Sequence, residues 1–211
     1  MRLTMMVLDD FYENPMEVRK TALALEYDAI APGTPYPGRN SQQPILWPNS
    51  DQMFSQILRE PVRGHTGFAH GKFRLSTGGD ERGADIHIDP GIVWAGVLYM
   101  TLPQHCRGGT EFFRHRDYGT DGAPLTQEDL KLYGPNETSR EKLTDRLTEI
   151  DGRDRSKWEK TMTVPMRFNR LVLFRGYLWH TAGESFGVTP ENCRLVQLFF
   201  FQSAQIAGLR R

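Results

Sequence analysis

The sequence predicts a mainly β protein: two antiparallel sheets packed as a jelly-roll-like sandwich, with flanking helices and a charged helical insertion. Three observations predict it. Helix signals come first, and short strands then recur at turn-punctuated intervals, an order that fits a sandwich with helices at its side. Trp94 to Leu102 is a nearly continuous apolar run, the pattern of a strand covered on both faces. Residues 114–160 then switch to charge, Gly and polar groups before strand-like runs resume.

The elements follow in order. Leu3 to Leu8 reads as an opening strand. Asn14-Pro15-Met16-Glu17 starts a helix, with Asn14 as N-cap, Pro15 at the first helical position and Glu17 three residues after the cap. That helix runs through Val18, Ala22 and Leu25 to about Tyr27. Residues 28–50, rich in Pro, Gly, Asn and Gln, form a long ordered loop. Ser50 to Arg59 is a short amphipathic helix. Gly71 to Ser76 and Asp85 to Asp89 alternate as strands, and Thr110 to Phe113 adds a short one. The insertion carries two helices, about Gln127 to Tyr133 and Ser139 to Glu149. Strands return at Thr161 to Val164, Arg170 to Arg175 and Arg194 to Gln202. The 211 residues suit one domain, with 1–67 as N-terminal helical support and 114–160 as a lid-like insertion.

Composition narrows the function classes. The 26 basic and 26 acidic residues balance, so no general attraction to nucleic acid or to an anionic membrane exists. Cys106 and Cys193 make neither a disulfide framework nor a zinc ribbon, and read as reduced thiols of a cytoplasmic protein. The opening MRLTMMVLDDFYENP has too short an apolar stretch for a signal peptide, and no run of roughly 18 apolar residues offers a membrane span.

The chemistry concentrates in Asp85-Ile86-His87-Ile88-Asp89-Pro90-Gly91. On a strand, residues two apart face the same side, so His87 and Asp89 project together while Ile88 faces the opposite layer. Pro90 holds Asp89 extended and Gly91 permits a tight turn. An imidazole nitrogen beside a carboxylate oxygen is a natural ligand pair for a divalent metal. His180, just past the apolar strand and glycine break of Arg170-Leu-Val-Leu-Phe-Arg-Gly, is the candidate third ligand. Two histidines and one carboxylate on one face, with positions left open, characterise non-haem Fe(II) oxygenases. Arg194, fourteen positions after His180, opens another apolar strand; a permanent cation in the same cavity would grip a carboxylate through two parallel hydrogen bonds. A dicarboxylate co-substrate fits, one end chelating iron and the other on the Arg.

Four elements in order carry a resemblance: His87-Ile88-Asp89, then Tyr99-Met100-Thr101-Leu102, then Gly108-Gly109-Thr110-Glu111-Phe112, then His180 with Arg194 downstream. Over roughly residues 68–202 the chain resembles the Fe(II)/2-oxoglutarate-dependent dioxygenase superfamily, nearest to its prolyl-hydroxylase-like branch. The resemblance implies a double-stranded β-helix, the cupin-like form of the jelly roll. It implies Fe(II) bound by His87, Asp89 and His180, and 2-oxoglutarate held by Arg194 with help from Tyr99. The Gly108-Gly109 pair would turn the strand so that Thr110 and Phe112 line the pocket. The reaction implied consumes O2 and 2-oxoglutarate, releases succinate and CO2, and hydroxylates an unactivated C–H bond. Asp89 favours hydroxylation over halogenation, because halogenating members usually lack this carboxylate. The chain departs from the pattern at Val196, where the superfamily often has Ser or Thr two residues after the Arg; a second anchor for the co-substrate is therefore unassigned.

Further candidates are weaker. Trp94 and Arg175 could face substrate, against the plainer readings of core aromatic and surface cation. His105 and His115, beside the Gly-Gly element, read as exposed loop residues, and His65 and His70 as structural. Arg114 and Arg116 read as a solvated face. The substrate expected is a small polar molecule, an amino acid or a peptidyl residue. Two other readings stand beside this one: a non-catalytic small-molecule binder that retains the triad, and a jelly-roll metalloenzyme that does not use 2-oxoglutarate.

Overall fold

A computed structural model of the chain describes residues 3–29, 37–80, 85–135 and 137–204. The elements in chain order are β1 (Met5–Leu8), α1 (Pro15–Ala24), β2 (Arg39–Asn40), α2 (Ser50–Leu58), β3 (Val62–Gly64), β4 (Phe73–Ser76), β5 (Trp94–Tyr99) and β6 (Gly109–His115), followed by α3 (Gln127–Leu130), α4 (Arg140–Glu149), β7 (Trp158–Pro165), β8 (Leu171–Arg175), β9 (His180–Thr181) and β10 (Arg194–Ser203). All pairings are antiparallel. A seven-stranded sheet runs β1-β8-β5-β10-β4-β2, with β3 on the same edge of β10 as β4. A three-stranded sheet runs β7-β6-β9. The protein is therefore mainly antiparallel β with a few helices, consistent with a jelly-roll type of fold. Among the described residues no helix is long and apolar enough to cross a membrane.

Strand alternation divides the large sheet into two faces. On the outer face Trp94, Leu98, Leu173 and Phe199 pack under Ala22 of α1 and Phe54 of α2. Burying side chains of this size contributes roughly 1.5–3 kcal/mol each in transfer free energy. On the inner face Ala95, Tyr99, Phe174 and Val196 meet Phe112 and Val164 of the small sheet. The register shift opposite Phe112 and Phe113 leaves Thr161 as an extra residue in β7, and alternation along β6 buries the two consecutive rings in different layers. Phe113 joins a third core with Leu143 and Leu147 of α4, Trp158 and Trp179. The charged insertion thus has a core of its own on the back of the small sheet. No described residue of 114–160 lines the cavity between the sheets.

Several sequence expectations are corrected in detail. Asp85 to Asp89 is not a continuous strand; it makes a single bridge, between His87 and His180. The N–H of His87 donates to His180 O at 3.0 Å and that of Asp89 to Gly176 O at 2.8 Å, so two steps on one segment span four on the other and the ladder breaks. Helix α1 ends at Ala24, not Tyr27: Tyr27 bridges to Ser41 and its hydroxyl donates to Ala22 O at 2.9 Å, closing the helix end. Asn14 precedes that helix without a side-chain capping bond. Strand β5 stops at Tyr99 because the Thr101 hydroxyl takes over, accepting from Leu195 N at 2.9 Å. The loop expected over 28–50 contains the short strand β2, and its residues 30–36 lie outside the described residues.

Candidate metal centre

His87, Asp89 and His180 are brought together from two segments, all buried, with one potential ligand atom of each within 4.8 Å of the others. The bridge between His87 and His180 is closed by hydrogen bonds in both directions, at 3.0 and 2.9 Å, which fixes the two histidines side by side; their ring centroids are 4.4 Å apart. Ile86 and Ile88 face the opposite way, into the third core, so the period-two logic holds without a regular strand. Gly176 makes the approach feasible: a Cβ there would lie 2.4 Å from Ile92 O and 3.1 Å from Asp89 O. Any side chain at 176 would push the turn that carries Asp89 out of place.

Backbone carbonyls fix which ring nitrogens can ligate. Nδ1 of His87 is 2.7 Å from Asp85 O, and Nδ1 of His180 is 2.8 Å from Leu178 O. A carbonyl only accepts, so each Nδ1 carries the proton and each Nε2 keeps its lone pair for a metal. Burial lowers His87 to about 4, helped by the neighbouring His180, and lowers His180 to about 4. Both imidazoles are therefore neutral near pH 7, as ligation requires. Burial raises Asp89 to about 6, against the opposing charges of His87 and Arg74. Its one ion-pair-range neighbour among the described residues is His180 Nε2 at 3.5 Å, a neutral ring at that pH. Two neutral imidazoles and a buried carboxylate suit a divalent transition metal.

The triad opens into a cavity of about 240 Å³ between the sheets. Arg194 lines it, 4 % exposed, with no carboxylate partner among the described residues and with Nε buried and unbonded. Desolvation lowers its pKa, so its charge is held there at a cost. Ser185, on the loop after β9, also lines the cavity with a buried, unbonded hydroxyl. Buried polar groups are nearly always bonded, and two exceptions facing one cavity point to a polar ligand. Thr110 lines it as well, and its Oγ1 is 2.6 Å from the Tyr99 hydroxyl. Tyr99 itself is fully buried behind Thr110, near enough to Arg194 for their charges to interact. At Gly109 a Cβ would lie 2.0 Å from Val164 O, so the Gly-Gly turn lets β6 dock on β7 and aim Thr110 inward.

Other expected site residues are elsewhere. Trp94 is on the outer face of the large sheet, its Nε1 donating to Glu60. Arg175 joins it there: its guanidinium forks onto Glu60 at 2.7 and 3.1 Å and lies 4.2 Å from the Trp94 ring. Strand parity gives the reason, since Ala95 and Phe174 are the neighbours that face inward. Phe112 backs His180 at 6.3 Å between rings and does not line the cavity. His115 is not exposed but fully buried, with Nε2 3.0 Å from Asp151. Arg114 is exposed and paired with Asp121 at 2.9 Å. The sequence reading missed Arg74, Asn40 and Ser185, all on the cavity wall; Arg74 carried a signal in the alternation of β4, but a cation at every second position also describes a solvent face.

A family model matches residues 2–201. The chain belongs to DUF6445, a family of unknown function. No curated protein is significantly similar to this DUF6445 chain in sequence. Solved structures share its fold, among them the following two. The non-heme alpha ketoglutarate dependent epimerase SnoN from nogalamycin biosynthesis is 15% identical, with 95% of this chain and 79% of SnoN covered at a TM-score of 0.51. HygX from Streptomyces hygroscopicus, solved with nickel, 2-oxoglutarate and hygromycin B bound, is 13% identical, with 96% and 84% covered and a TM-score of 0.51. At these identities the likeness is one of fold, and the argument for chemistry rests on the residues.

Proposed function

We propose that this protein is an Fe(II)- and 2-oxoglutarate-dependent oxygenase that hydroxylates an unactivated C–H bond of a small substrate, an amino acid or a peptidyl residue, in a single double-stranded β-helix domain. The observation that carries the reading is the pairing, in one cavity, of a buried two-histidine, one-carboxylate face with a buried guanidinium that has an unbonded Nε and no carboxylate partner among the described residues. His87, Asp89 and His180 would hold the iron on one side, leaving the cavity side open. Arg194 would bind the distal carboxylate of 2-oxoglutarate, and Ser185 and Thr110 supply hydroxyls in place of the Ser or Thr absent at Val196. Bound Fe(II) and 2-oxoglutarate would supply the oxidant, with O2 and 2-oxoglutarate consumed, succinate and CO2 released and one oxygen atom of O2 ending in the hydroxylated product. The chain's own part is orientation and exclusion of water by apolar walls such as Phe174 and Leu198.

The fold shared with SnoN, named as an alpha ketoglutarate dependent enzyme, and with HygX, which binds nickel, 2-oxoglutarate and hygromycin B, supports the co-substrate and a small-molecule substrate. Only the order of the four sequence elements favours the prolyl-hydroxylase-like branch of the superfamily. The test is purified protein with Fe(II), 2-oxoglutarate and O2. Slow succinate release without substrate, lost in His87→Ala, is the expected result. No succinate and no 2-oxoglutarate-dependent thermal shift would favour the non-catalytic binder instead.

A further inference from the structure

One rung of the large sheet faces the cavity with an alanine between two phenylalanines. Ala95 of β5 is the register partner of Phe174 on β8 and of Phe200 on β10, and all three line the cavity. Neighbouring strands are about 4.8 Å apart, so the two rings are attached about 10 Å from each other with only a methyl group between them. That leaves a slot. A third ring inserted midway would lie about 5 Å from each, inside the range of favourable aromatic pairs. On the next rung toward Arg194 the corresponding positions are Val172, Val97 and Leu198, so the gap is confined to the Ala95 rung.

The slot adjoins the metal centre and opens outward. The Phe174 ring is 4.6 Å from that of His180. On the other side Phe200 is half-buried, and Phe68, from the turn between β3 and β4, packs on it at 5.2 Å and is half-buried as well. Apolar surface left in water is unfavourable, and an apolar group that covers it is favoured. None of these four side chains carries a polar atom. Arg194 is six residues from Phe200 along β10, about 20 Å of strand, so the distal end of the co-substrate and the slot belong to opposite ends of the cavity. At about 240 Å³ the cavity is smaller than the sites that enclose drug-sized ligands, so a substrate can insert only a ring-sized part.

We propose that the rung of Phe174, Ala95 and Phe200, flanked by Phe68, is the substrate subsite, and that the substrate presents to it a flat apolar ring, as a free aromatic compound or as an aromatic side chain. This rests on the oxygenase reading above and narrows its substrate class.

The test uses protein loaded with Mn(II) and 2-oxoglutarate without O2, titrated by calorimetry with two series of probes. Benzamide, cyclohexanecarboxamide and acetamide present a free group; the N-acetyl amides of phenylalanine, cyclohexylalanine and alanine present it as a side chain. In at least one series the aromatic member is expected to bind about tenfold or more tightly than the methyl-bearing one. It should also bind about threefold or more tightly than the cyclohexyl one, which is thicker and has no π face. The series that shows this identifies the source of the ring. Ala95→Val fills the floor of the slot and should abolish the aromatic preference; Phe68→Ala should reduce it about threefold or more. Both variants should bind Mn(II) and 2-oxoglutarate as the wild type does, which also reports that they fold. Phe68 is on a turn, so its variant carries the test where Ala95→Val does not fold. No binding of either aromatic probe to the wild type overturns the proposal. So does equal binding of the cyclohexyl or methyl probes, or an aromatic preference unchanged in either folded variant. Failure of the wild type to bind Mn(II) and 2-oxoglutarate strikes the oxygenase reading together with this one, whereas normal binding of both without a ring preference strikes this one only.

Discussion

Replacing Arg194 by Leu should separate what the cavity does from what holds the protein together. The guanidinium is 4 % exposed and has no carboxylate partner among the described residues, and burial lowers its pKa. A buried charge carries a desolvation penalty of several kcal/mol that no carboxylate among the described residues offsets for Arg194, so removing the charge should stabilise the metal-free fold by about 1–3 kcal/mol. The same change removes the cation proposed to receive the distal carboxylate. Truncating one partner of a buried hydrogen-bonded charge pair costs roughly 2–5 kcal/mol, so 2-oxoglutarate affinity should fall about 30- to 5,000-fold.

Urea unfolding of metal-free wild type and Arg194→Leu measures the first quantity, and calorimetric titration of the Mn(II)-loaded proteins with 2-oxoglutarate measures the second. The two must move in opposite directions. A variant destabilised by more than about 1 kcal/mol that binds 2-oxoglutarate as the wild type does would show that Arg194 is a structural cation, and the co-substrate site would have to be sought elsewhere.

Other expectations follow from the same geometry. Asp89, held at about 6, must lose its proton to ligate, so Mn(II) affinity should be flat above that pH and fall about tenfold per unit below it, steepening near 4 where the imidazoles also protonate; a profile flat from pH 8 to 5, read by calorimetry, contradicts the burial argument. Asp89→Ala should abolish Mn(II) binding at micromolar metal, checked by dialysis and metal analysis. Gly176→Ala should cost about 1–3 kcal/mol in urea unfolding and weaken Mn(II) binding, because its Cβ meets Ile92 O and Asp89 O, whereas Gly79→Ala, with open space around it, should do neither. Arg175→Ala should lower stability by about 1–3 kcal/mol through the lost Glu60 pair and Trp94 contact, with Mn(II) and 2-oxoglutarate affinities unchanged.

The residues that the sequence made legible are those whose chemistry is local. His87 and Asp89 are two apart and bracketed by isoleucines, and that spacing aims them together even though the ladder around them breaks at Gly176. The helices at Gln127–Leu130 and Arg140–Glu149 begin close to where they were expected, and the structure shows Thr126 and Ser139 capping them through their side chains. What was not legible is strand parity. In Trp94 to Tyr99 both faces are buried, so alternation carries no polar signal to say whether Trp94 or Ala95 faces the cavity. The choice is made by register with β8 and β10, a property of three strands distant in sequence. The same ignorance misplaced Arg175 and hid Arg74. Ser185 had no signal at all, since it lies in a loop whose path depends on where β9 and β10 are anchored.

Parity also explains how a fold of this size carries so polar an interior. The outer face of the large sheet is built from Trp94, Leu98, Leu173 and Phe199 under two helices, and it is there that apolar burial accumulates. The inner face gives up positions to Arg74, Ser76 and Arg194, which no stable sandwich core requires. The two faces therefore respond oppositely to substitution. Apolar replacements on the inner face should leave the metal-free protein as stable or more so while ligands are lost; truncations on the outer face should unfold the protein while the affinity of the folded fraction persists. A stability loss of similar size from both faces would mean that the inner polar groups are bonded into the fold itself, and the cavity would then need no ligand to account for them.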